Sequence, residues 1–503
     1  MIIALGVMLV TGLLLVASYA ATTGDSSLTR NEIVQKQAYN AALAGVQEYE
    51  YKLQSNPDYW ETCETPEKTV PQETEKTKED EYNGHYAIKL LTASTAPKGT
   101  TACSTSNPFG TMIQNEGTLA NTFRIESIGY AGTDKRTAIA TFHVIGFLDY
   151  VYFTQYEVVD PSLNGDSKSC EAYYAQRNAS KAQCETITFA EEDSVNGPMH
   201  TDDAANVECS KKLSFGRAGD KDAVEINGGV WPTCSKSSEP TYNNLEKKPT
   251  KGAELVAPQS DTSLLSYVEE ANKFTGVTHL VLNGTTKKIA ATYYNEKKEE
   301  VKETIGWPKN GLIYVQTGKS CGYTYKQTES DTSTETKNET ECGTVYVSGT
   351  YSEPLTIGAQ NNVIITGNIY PTSVEGKLGS EPSGTTTLGL IATEYVRVYH
   401  PCNYHSSSNE TGSLENPWIY AAILSTSHSF LVDNFDCGNH LGKLNIYGAI
   451  AQKFRGTVGT EGGTGYDKEY IYDERLATDE PPYFLSPLNA GWQVERETAP
   501  TEQ

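Results

Sequence analysis

The residues best placed by type and spacing for acid–base chemistry lie in the segment LVDNFDC. Asp433 and Asp436 are three residues apart there, next to Cys437 and close to His428 and His440. Two carboxyls act as general acid and general base only when they face one cleft in unequal surroundings. A spacing of three across a strand and turn, beside a cysteine, is more typical of turn capping. We therefore expect this pair to be structural.

Metal and nucleophile chemistry have less support. His400 and His405 flank Cys402, but with 8 histidines in the chain no metal-ligand spacing emerges. No G-x-S-x-G, P-loop or dinucleotide fingerprint occurs. We predict that the chain is not an enzyme and holds neither a cofactor nor a metal. A solvated acidic face is the simpler interpretation of a group of acids without the alternating oxygens and fixed glycine of a calcium loop: Glu191, Glu192, Asp193, Asp202 and Asp203.

The cysteines give the clearest chemical signal. Their number, ten, is even, and no C-x-x-C spacing suggests zinc or thioredoxin chemistry. In a chain that we expect to be exported, this favours disulfides and places the body outside the cytoplasm. Sequence does not settle the connectivity, but each cysteine has a near neighbour, so our hypothesis is five local bridges: Cys63 with Cys103, Cys170 with Cys184, Cys209 with Cys234, Cys321 with Cys342, and Cys402 with Cys437.

Composition limits both fold and partners. The 503 residues carry a formal net charge of −24, which disfavours nucleic acid and anionic lipid surfaces as partners. Tyrosine, at 32 residues against 12 phenylalanines, is abundant together with glycine, threonine and serine, so strands and turns should dominate. The length predicts two or three domains.

The N-terminal stretch is the element on which the rest depends. Residues Met1–Ala21 are apolar and uncharged, and a helix rising about 1.5 Å per residue spans the core of a bilayer over that length. The run is too long for the apolar core of a secretory signal. Helical spacing continues through Leu28–Leu53 and ends at Asn56-Pro57. We predict one long helix, apolar first and then amphipathic.

Residues 37–45 of this helix read QAYNAALAG. Together with the apolar stretch before it, this pattern resembles the type IV pilin superfamily, and most closely the PilX-like large pilins with a Q-A-x-x-A-A-x-A-G helix. One position departs from the superfamily. Its members usually have glutamate at the fifth mature residue, and with Met1 at or near the processed end that position is Leu5. A plain membrane anchor is the alternative.

The strands that follow are similar to those of a pilin head. Alternating patterns predict strands at Tyr86–Leu91, Thr122–Tyr130 and Arg136–Phe147, and the last two form a hairpin around AGTD. Pilin heads carry such an antiparallel meander after the helix, with an I-x-S-x-G-x-A-G sequence before the turn and R-T-x-x-A-x-F after it. The resemblance implies a pilin module at 1–150, with the helix at 1–55 and the sheet at 56–150.

Beyond residue 150 the pattern changes to short apolar runs between turn-rich segments. Val345–Gly349 (VYVSG) is echoed 18 residues later by Val363–Gly367 (VIITG), with Leu355–Gly358 between them. Three short strands per turn is typical of a parallel β-helix, which we predict for residues 151–464, with a β-sandwich array as the alternative. Residues 465–503 are predicted to form a strap over the last edge and a disordered tail.

These patterns predict an α+β, mostly β chain with a structural function. The pilin resemblance implies a subunit of a bacterial extracellular filament. It would reside in the inner membrane before assembly and be polymerised with copies of itself by the pilus assembly machinery. Its body would serve adhesion, with surface glycans as a candidate target. The alternative is a membrane-anchored carbohydrate-binding or carbohydrate-active β-helix. The filament core implied by the resemblance comprises Met1, Ala4, Leu5, Gly6, Leu9, Gly12, Leu13 and Val16.

Overall fold

The computed structural model describes most of the chain. It covers residues 32–53, 55–56, 59–65, 84–93, 96, 103–105, 111–113, 122–132, 134–166, 168–191, 193–295, 297–319, 321–322, 325–327, 340–461, 463–477, 479–488 and 492–498. Within these ranges no helix is long and apolar enough to cross a membrane, and the predicted spanning segment, Met1–Ala21, lies outside them. The chain divides into two compact units, residues 1–145 with 491–503, and residues 146–490.

The first unit contains a helix, α1, over residues 32–53. Its buried positions recur every three or four residues, as one face of an amphipathic helix requires. The opposite face is exposed, including Ile33 and Tyr51. The described part of α1 thus agrees with the predicted helical spacing. The buried positions are Ala38, Ala41, Ala42, Gly45, Val46, Tyr49 and Leu53.

A four-stranded antiparallel sheet completes the first unit. Its strands, in the order β1-β2-β3-β29, are β1 (His85–Leu91), β2 (Thr122–Ala131), β3 (Asp134–Val144) and β29 (Trp492–Thr498). Ala131 pairs with Asp134 at the end of the β2–β3 ladder, so the predicted hairpin is confirmed. Apolar side chains on one face of the sheet form a core with those of α1, among them Ile88, Phe123, Ile125, Ala140 and Phe142.

The strand β29 is a finding that the sequence did not predict. It pairs antiparallel with β3, from Trp492 opposite Val144 to Thr498 opposite Ile139. The sequence analysis places these residues in a strap and a disordered tail, and that assignment is wrong for 492–498. A strand that adds to a distant edge is selected by backbone pairing, which the local pattern of a short charged segment does not reveal. The last residues therefore belong to the sheet that begins near residue 85.

The second unit is built from short strands, of which 21 form one mixed, mostly parallel sheet. Its helices are short, α2 (Pro161–Asn164) and α3 (Tyr174–Ser180), together with single 3₁₀ turns. The strands are β4 (Tyr152–Tyr156), β5 (Ser194–Asn196), β6 (Met199–Thr201), β7 (Ala205–Asn206), β8 (Ser214–Phe215), β9 (Val224–Ile226), β10 (Val230–Trp231), β11 (Thr241–Tyr242), β12 (Lys273–Thr275), β13 (Thr278–Asn283), β14 (Lys288–Tyr294), β15 (Glu300–Gly306), β16 (Leu312–Gln316), β17 (Val345–Tyr351), β18 (Leu355–Ala359), β19 (Val363–Pro371), β20 (Leu388–Ala392), β21 (Val396–Val398), β22 (Cys402–Asn403), β23 (Ser408–Asn409), β24 (Trp418–Ser425), β25 (Phe430–Val432), β26 (His440–Phe454), β27 (Gly459–Thr460) and β28 (Thr464–Tyr472).

Parallel pairing joins these strands in rows. One row runs β12-β16-β18-β20-β24-β26-β4-β6-β9, and a second runs β13-β17-β19-β21-β25. The 18-residue echo is confirmed in the second row, where Val345 pairs with Val363 and Val347 with Ile365. The register then shifts at Gly349, whose φ of +113° and close approach to the Leu282 carbonyl suit only glycine.

The order of the first row differs from the order of the chain. β4, the first strand of the body, pairs with β26, which comes almost 300 residues later. β6 and β9 extend the row outward from β4, whereas β12 begins at the opposite end of the same row. The chain must therefore cross the length of the row between β11 and β12. Eight strand spacings of about 4.8 Å amount to about 38 Å, which an extended segment spans easily.

Residues 251–272 make this crossing, and we call them the crossing segment. It bonds in turn to residues in or next to β6, β24, β20 and β16, so its contacts progress along the row from the β6 end to the β16 end. The hydrogen bonds are Leu255 N to Asp202, Ser427 Oγ to the Gln259 carbonyl, Thr393 Oγ1 and Tyr314 Oη to Asp261, and Asn310 Nδ2 to the Tyr267 carbonyl.

Residues 473–477 and 479–488, which follow β28, also contact other parts of the body. Arg475 donates to the carbonyls of Gly384 and Thr386, and the amide of Leu488 donates to the Val256 carbonyl. The Tyr483 ring stacks on Tyr267 of the crossing segment, with ring centroids 5.1 Å apart. The predicted strap begins at 465, but residues 464–472 are β28, a member of the sheet itself.

Candidate functional site

The contact between α1 and its sheet brings the two sequence patterns together. Gly45 ends the Q-A-x-x-A-A-x-A-G pattern, and a Cβ built on it would lie 2.3 Å from Ser127 Oγ and 2.8 Å from the Tyr86 ring. Ser127 is the serine of the I-x-S-x-G-x-A-G pattern in β2. No side chain fits between helix and sheet at this point, so glycine is required for the distance at which α1 lies.

The same contact repeats one turn toward the N-terminus. A Cβ on Gly129 of β2 would lie 2.0 Å from the Ala38 carbonyl oxygen and 2.3 Å from the Ala42 amide nitrogen. On the neighbouring segment, a Cβ on Gly84 would lie 2.8 Å from that of Ala41. Small residues on α1 thus meet glycines on the sheet at two successive turns, and the spacing of Ala38, Ala41, Ala42 and Gly45 puts all four on that face.

Larger side chains fill the remainder of the interface. The fully buried Tyr49 ring packs edge-on against Phe123, with centroids 5.9 Å apart, and Phe142 lies at 5.7 Å. Burial raises the pKa of the Tyr49 hydroxyl well above its ordinary value, so this group stays neutral. Tyr86 donates a hydrogen bond to Glu48 at the edge of the contact. The middle of α1 is therefore held on the sheet by the close fit of small residues, and its C-terminal end by aromatic packing.

The eight residues predicted as filament core lie outside the described residues, so the prediction for Met1, Ala4, Leu5, Gly6, Leu9, Gly12, Leu13 and Val16 stays a prediction.

The five disulfides join nearest neighbours in sequence, and the predicted pairing is confirmed. The bridges are Cys63–Cys103, Cys170–Cys184, Cys209–Cys234, Cys321–Cys342 and Cys402–Cys437. Each closes a local loop of 14 to 40 residues. Such bridges restrict the unfolded chain within one loop and do not connect distant strands of the sheet.

The carboxyls singled out for acid–base chemistry do not share a cleft. Asp433 is fully buried, where it accepts from Tyr325 Oη at 2.5 Å and pairs with Arg397 Nη1 at 3.3 Å. Burial raises the pKa of Asp433, while Arg397 and Tyr325 oppose that rise. Asp436 is exposed and accepts from Tyr404 Oη at 2.6 Å. The structural interpretation of this pair agrees with these contacts.

His428 lies at a separate cluster with two acids. Its Nδ1 is 2.5 Å from Asp160 Oδ2 and its Nε2 is 2.9 Å from Glu394 Oε2. Burial works against the charged ring, but the hydrogen bonds to both carboxylates outweigh it and raise the pKa of His428 to about 9. Burial also opposes the ionised Asp160, yet the hydrogen bonds from His428 and Ser162 lower its pKa overall.

Ser162 stands beside this histidine, yet the arrangement does not suit nucleophilic catalysis. A serine nucleophile needs the imidazole nitrogen opposite the one held by the acid. Here Ser162 Oγ and Asp160 lie on the same nitrogen, at 3.5 and 2.5 Å, while Glu394 occupies the other. Ser162 Oγ is instead bonded to Asp160 Oδ1 and Tyr395 Oη, both at 2.7 Å. The cluster is a polar clamp between α2 and the strands near β21 and β25.

The other histidines considered for metal or acid–base chemistry do not form a cluster with one another. His400 is buried between the Asp433 carbonyl and the Asn409 side chain, at 3.1 and 3.0 Å. His405 is exposed, and His440 lies 3.2 Å from Asp467. In the part of the chain that the structure describes, no group of three or more His, Cys, Asp or Glu could hold a metal ion.

The acidic residues near position 200 pair with different basic side chains. Glu191 pairs with Lys212, Asp193 with Lys468, Asp202 with His200, and Asp203 with Arg177, while Glu192 is outside the described residues. Three of these four acids are buried, and only Glu191 lies near the surface. The interpretation as one solvated acidic face is therefore wrong for the described acids, because three of them are buried and each contacts a different basic side chain.

One buried ion pair, Arg455 with Glu157, was not predicted from the sequence. Arg455 Nη1 donates to Glu157 Oε2 at 2.9 Å, and the guanidinium carbon lies 3.5 Å from the centroid of the Phe189 ring. Burial raises the pKa of Glu157, while Arg455 and Tyr152 oppose that rise. Almost 300 residues separate the partners, so no local spacing identifies them. The apolar runs around both residues are the one sequence signal that these charges lie inside.

Comparisons with known proteins add little. No protein-family model and no curated protein matches the chain. Among solved structures, it is similar to the competence-associated pilin ComZ from Thermus thermophilus, with 12% sequence identity over 93% of this chain and 98% of that chain. The TM-score of this match is 0.26, which is too low to carry an inference about fold or function.

Proposed function

We propose that the chain is a structural subunit of an extracellular type IV pilus-like filament, held through its N-terminal helix and displaying the large strand-rich unit. One observation carries the proposal: the helix pattern ending at Gly45 and the hairpin pattern containing Ser127 and Gly129 are in direct contact. Each pattern resembles pilins on its own, and 82 residues separate Gly45 from Ser127. Their mutual fit supports a pilin-type helix-on-sheet module.

An extracellular site for the body is supported by its covalent chemistry. Four of the five disulfides lie in the second unit, and all ten cysteines of the chain are bridged. Bridges of this kind persist in oxidising compartments and are rare where thiols are kept reduced. The body would thus fold after export and remain outside the cell, with the inner membrane as its earlier location and the pilus assembly machinery as its partner.

We further infer that the body is a parallel β-helix. Strands of two rows alternate along the chain, β16-β17, β18-β19, β20-β21 and β24-β25, so each pair would contribute one coil. Buried side chains from both rows share one apolar cluster, among them Ile313, Ile357 and Leu390 of the first row and Val345, Val363 and Val396 of the second. A β-sandwich array would need two antiparallel sheets, and among the described residues the antiparallel pairing in the large sheet is that of β13-β14-β15 and β27-β28.

We infer a structural role and not an enzymatic one. Within the described ranges, the carboxyls and histidines considered for chemistry are engaged in separate ion pairs and hydrogen bonds. An acid–base enzyme would need two of them on one open cleft. The competing function, a membrane-anchored carbohydrate-active protein, predicts no filament and a measurable glycan-cleaving activity.

Electron microscopy of material sheared from the host cell surface tests the filament proposal. Antibodies to the body should decorate regular filaments. Gly12→Arg should abolish them while the body stays folded, because an unpaired charge buried among apolar helices costs several kcal/mol. Gly12→Ala, which adds no charge, is the matched control. Wild-type filament yield from the arginine variant would contradict the core assignment, and no labelled filament from the unmodified chain would contradict the proposal.

A further inference from the structure

A cavity of about 470 Å³ is lined by residues of β9, β10 and β11 and of the segments that follow them. That volume falls within the range of sites for small ligands. Val230 of β10 and Tyr242 of β11 line it, and among the described residues each of these strands has one pairing partner, β7 and β8 respectively. The apolar part of the lining comprises Ile226, Val230, Pro232, Pro240, Tyr242 and Pro249.

The walls of this cavity are held firmly. The Cys209–Cys234 disulfide fixes the segment that carries Pro232, and Cys234 is itself part of the lining. Tyr242 is buried and stacks on Phe215, with ring centroids 5.7 Å apart. Thr250 pairs with β9 through the Val224 carbonyl at 2.9 Å, which anchors the wall that continues to Lys251. The cavity is therefore part of the fold and not a gap between mobile loops.

Its charged lining consists of Lys248, Lys251 and Glu239. Among the described residues, neither lysine takes part in an ion pair, although the chain has 64 acids and 40 basic residues. Both lysines are exposed at the rim. In a chain of net charge −24, two unpaired ammonium groups beside a proline- and tyrosine-lined hollow are positioned for an anion from outside the chain.

We propose that this cavity binds an acidic sugar residue of an anionic polysaccharide. The accessible prolyl rings of Pro232 and Pro249 suit the C–H faces of a sugar ring, backbone groups of β10 and β11 suit its hydroxyls, and Lys248 and Lys251 bind its carboxylate or sulfate group. Binding itself needs no filament. Its biological meaning rests on the proposed function, because a displayed body with this site would attach the filament to acidic glycans.

Nucleic acid fits the site less well. Two lysines neutralise few phosphates, whereas nucleic-acid binding depends on many such contacts. The acidic chain also opposes a long polyanion away from the cavity, and Glu239 in the lining adds to that repulsion. A single charged sugar placed in a walled cavity requires contact with two cations only.

Binding of the purified full chain in detergent to immobilised polymers tests the proposal. Polygalacturonate presents carboxylates, heparin presents sulfates, dextran is a neutral control, and single-stranded DNA tests the other polyanion. We expect binding to polygalacturonate, heparin or both, and none to dextran. Lys248→Ala with Lys251→Ala should weaken it about tenfold or more, as the loss of a charge-assisted contact implies. Glu239→Gln should strengthen it.

Lys211→Ala with Lys236→Ala is the matched control, since it removes the same charge from exposed lysines outside the lining. Equal weakening in this control, stronger binding to DNA than to either acidic polysaccharide, or binding to dextran would each overturn the proposal. Circular dichroism of each variant shows that the body is folded. Filaments without polysaccharide binding would support the filament proposal and contradict the polysaccharide site. Polysaccharide binding without filaments would support the site and contradict the filament proposal.

Discussion

The two units hold their parts together by different means. In the first, α1 meets its sheet through Ala38, Gly45 and Gly129, and shape decides the fit. In the second, buried ion pairs such as Arg455–Glu157 and Arg177–Asp203 join residues that flank the stacked strands. Similar strands can slip by one position, whereas a buried charge finds its partner in one register only. We infer that the fit of small residues specifies the contact between α1 and its sheet, whereas buried ion pairs help to specify the register of the stacked strands.

The largest effect should follow from breaking a buried pair. Glu157→Gln leaves Arg455 as an uncompensated charge beside Phe189, so the body should lose about 3–5 kcal/mol in its free energy of unfolding. Denaturant titration of the variant and the parent measures this. Glu157→Leu with Arg455→Met removes both charges and should recover most of the loss. Equal destabilisation by the single and double variants would mean that packing, not charge, matters there.

A smaller effect is expected where shape decides. Gly129→Ala puts a methyl 2.0 Å from the Ala38 carbonyl, so helix and sheet must separate, at about 1–3 kcal/mol. Hydrogen exchange in residues 32–53 should rise while that of the body stays unchanged. Gly306→Ala is the control, because nothing lies within 4 Å of its added methyl. Unaltered exchange in α1 would show that the tight contact is not required.

The clamp at His428 should make body stability depend on pH. The pKa of His428 is raised from 6.5 to about 9. Its contribution to the free energy of unfolding is therefore complete below about pH 6.5 and is lost as the pH rises through 9. The pKa of Asp160 is lowered, so its contribution is present above 3.8 and is lost as the pH falls below that value. Melting temperatures between pH 6 and 10 should decline for the parent and vary less for His428→Gln. Parallel curves for both would refute the assignment.

The smallest effect should come from an exposed pair. Lys287 lies 2.6 Å from Glu353, with side chains 60% and 40% exposed. Water and salt screen such a pair, so Lys287→Ala should change the free energy of unfolding by less than about 0.5 kcal/mol. The same titration as for Glu157→Gln measures it. A loss comparable to that of the buried pair would remove burial as the reason for the difference between them.

Prediction from sequence succeeded where partners are close along the chain. The helical spacing through Leu53, the hairpin around residues 131–134, the five disulfides and the pairing of Val345 with Val363 all join segments within about 40 residues of each other. It failed where partners are distant. Neither β29 on β3 nor β4 on β26 has a local pattern that names its partner.

The sequence by itself determined the small-residue face of α1, because period 3.6 places Ala38, Ala41 and Gly45 on one side whatever they contact. It also determined an oxidised, strand-rich body of high negative charge. Only the tertiary structure decided what those small residues meet, which acids are paired, and that the crossing segment carries the chain from β11 to β12. Periodicity is a property of neighbouring residues, whereas pairing across hundreds of residues depends on which surfaces fit once all have formed.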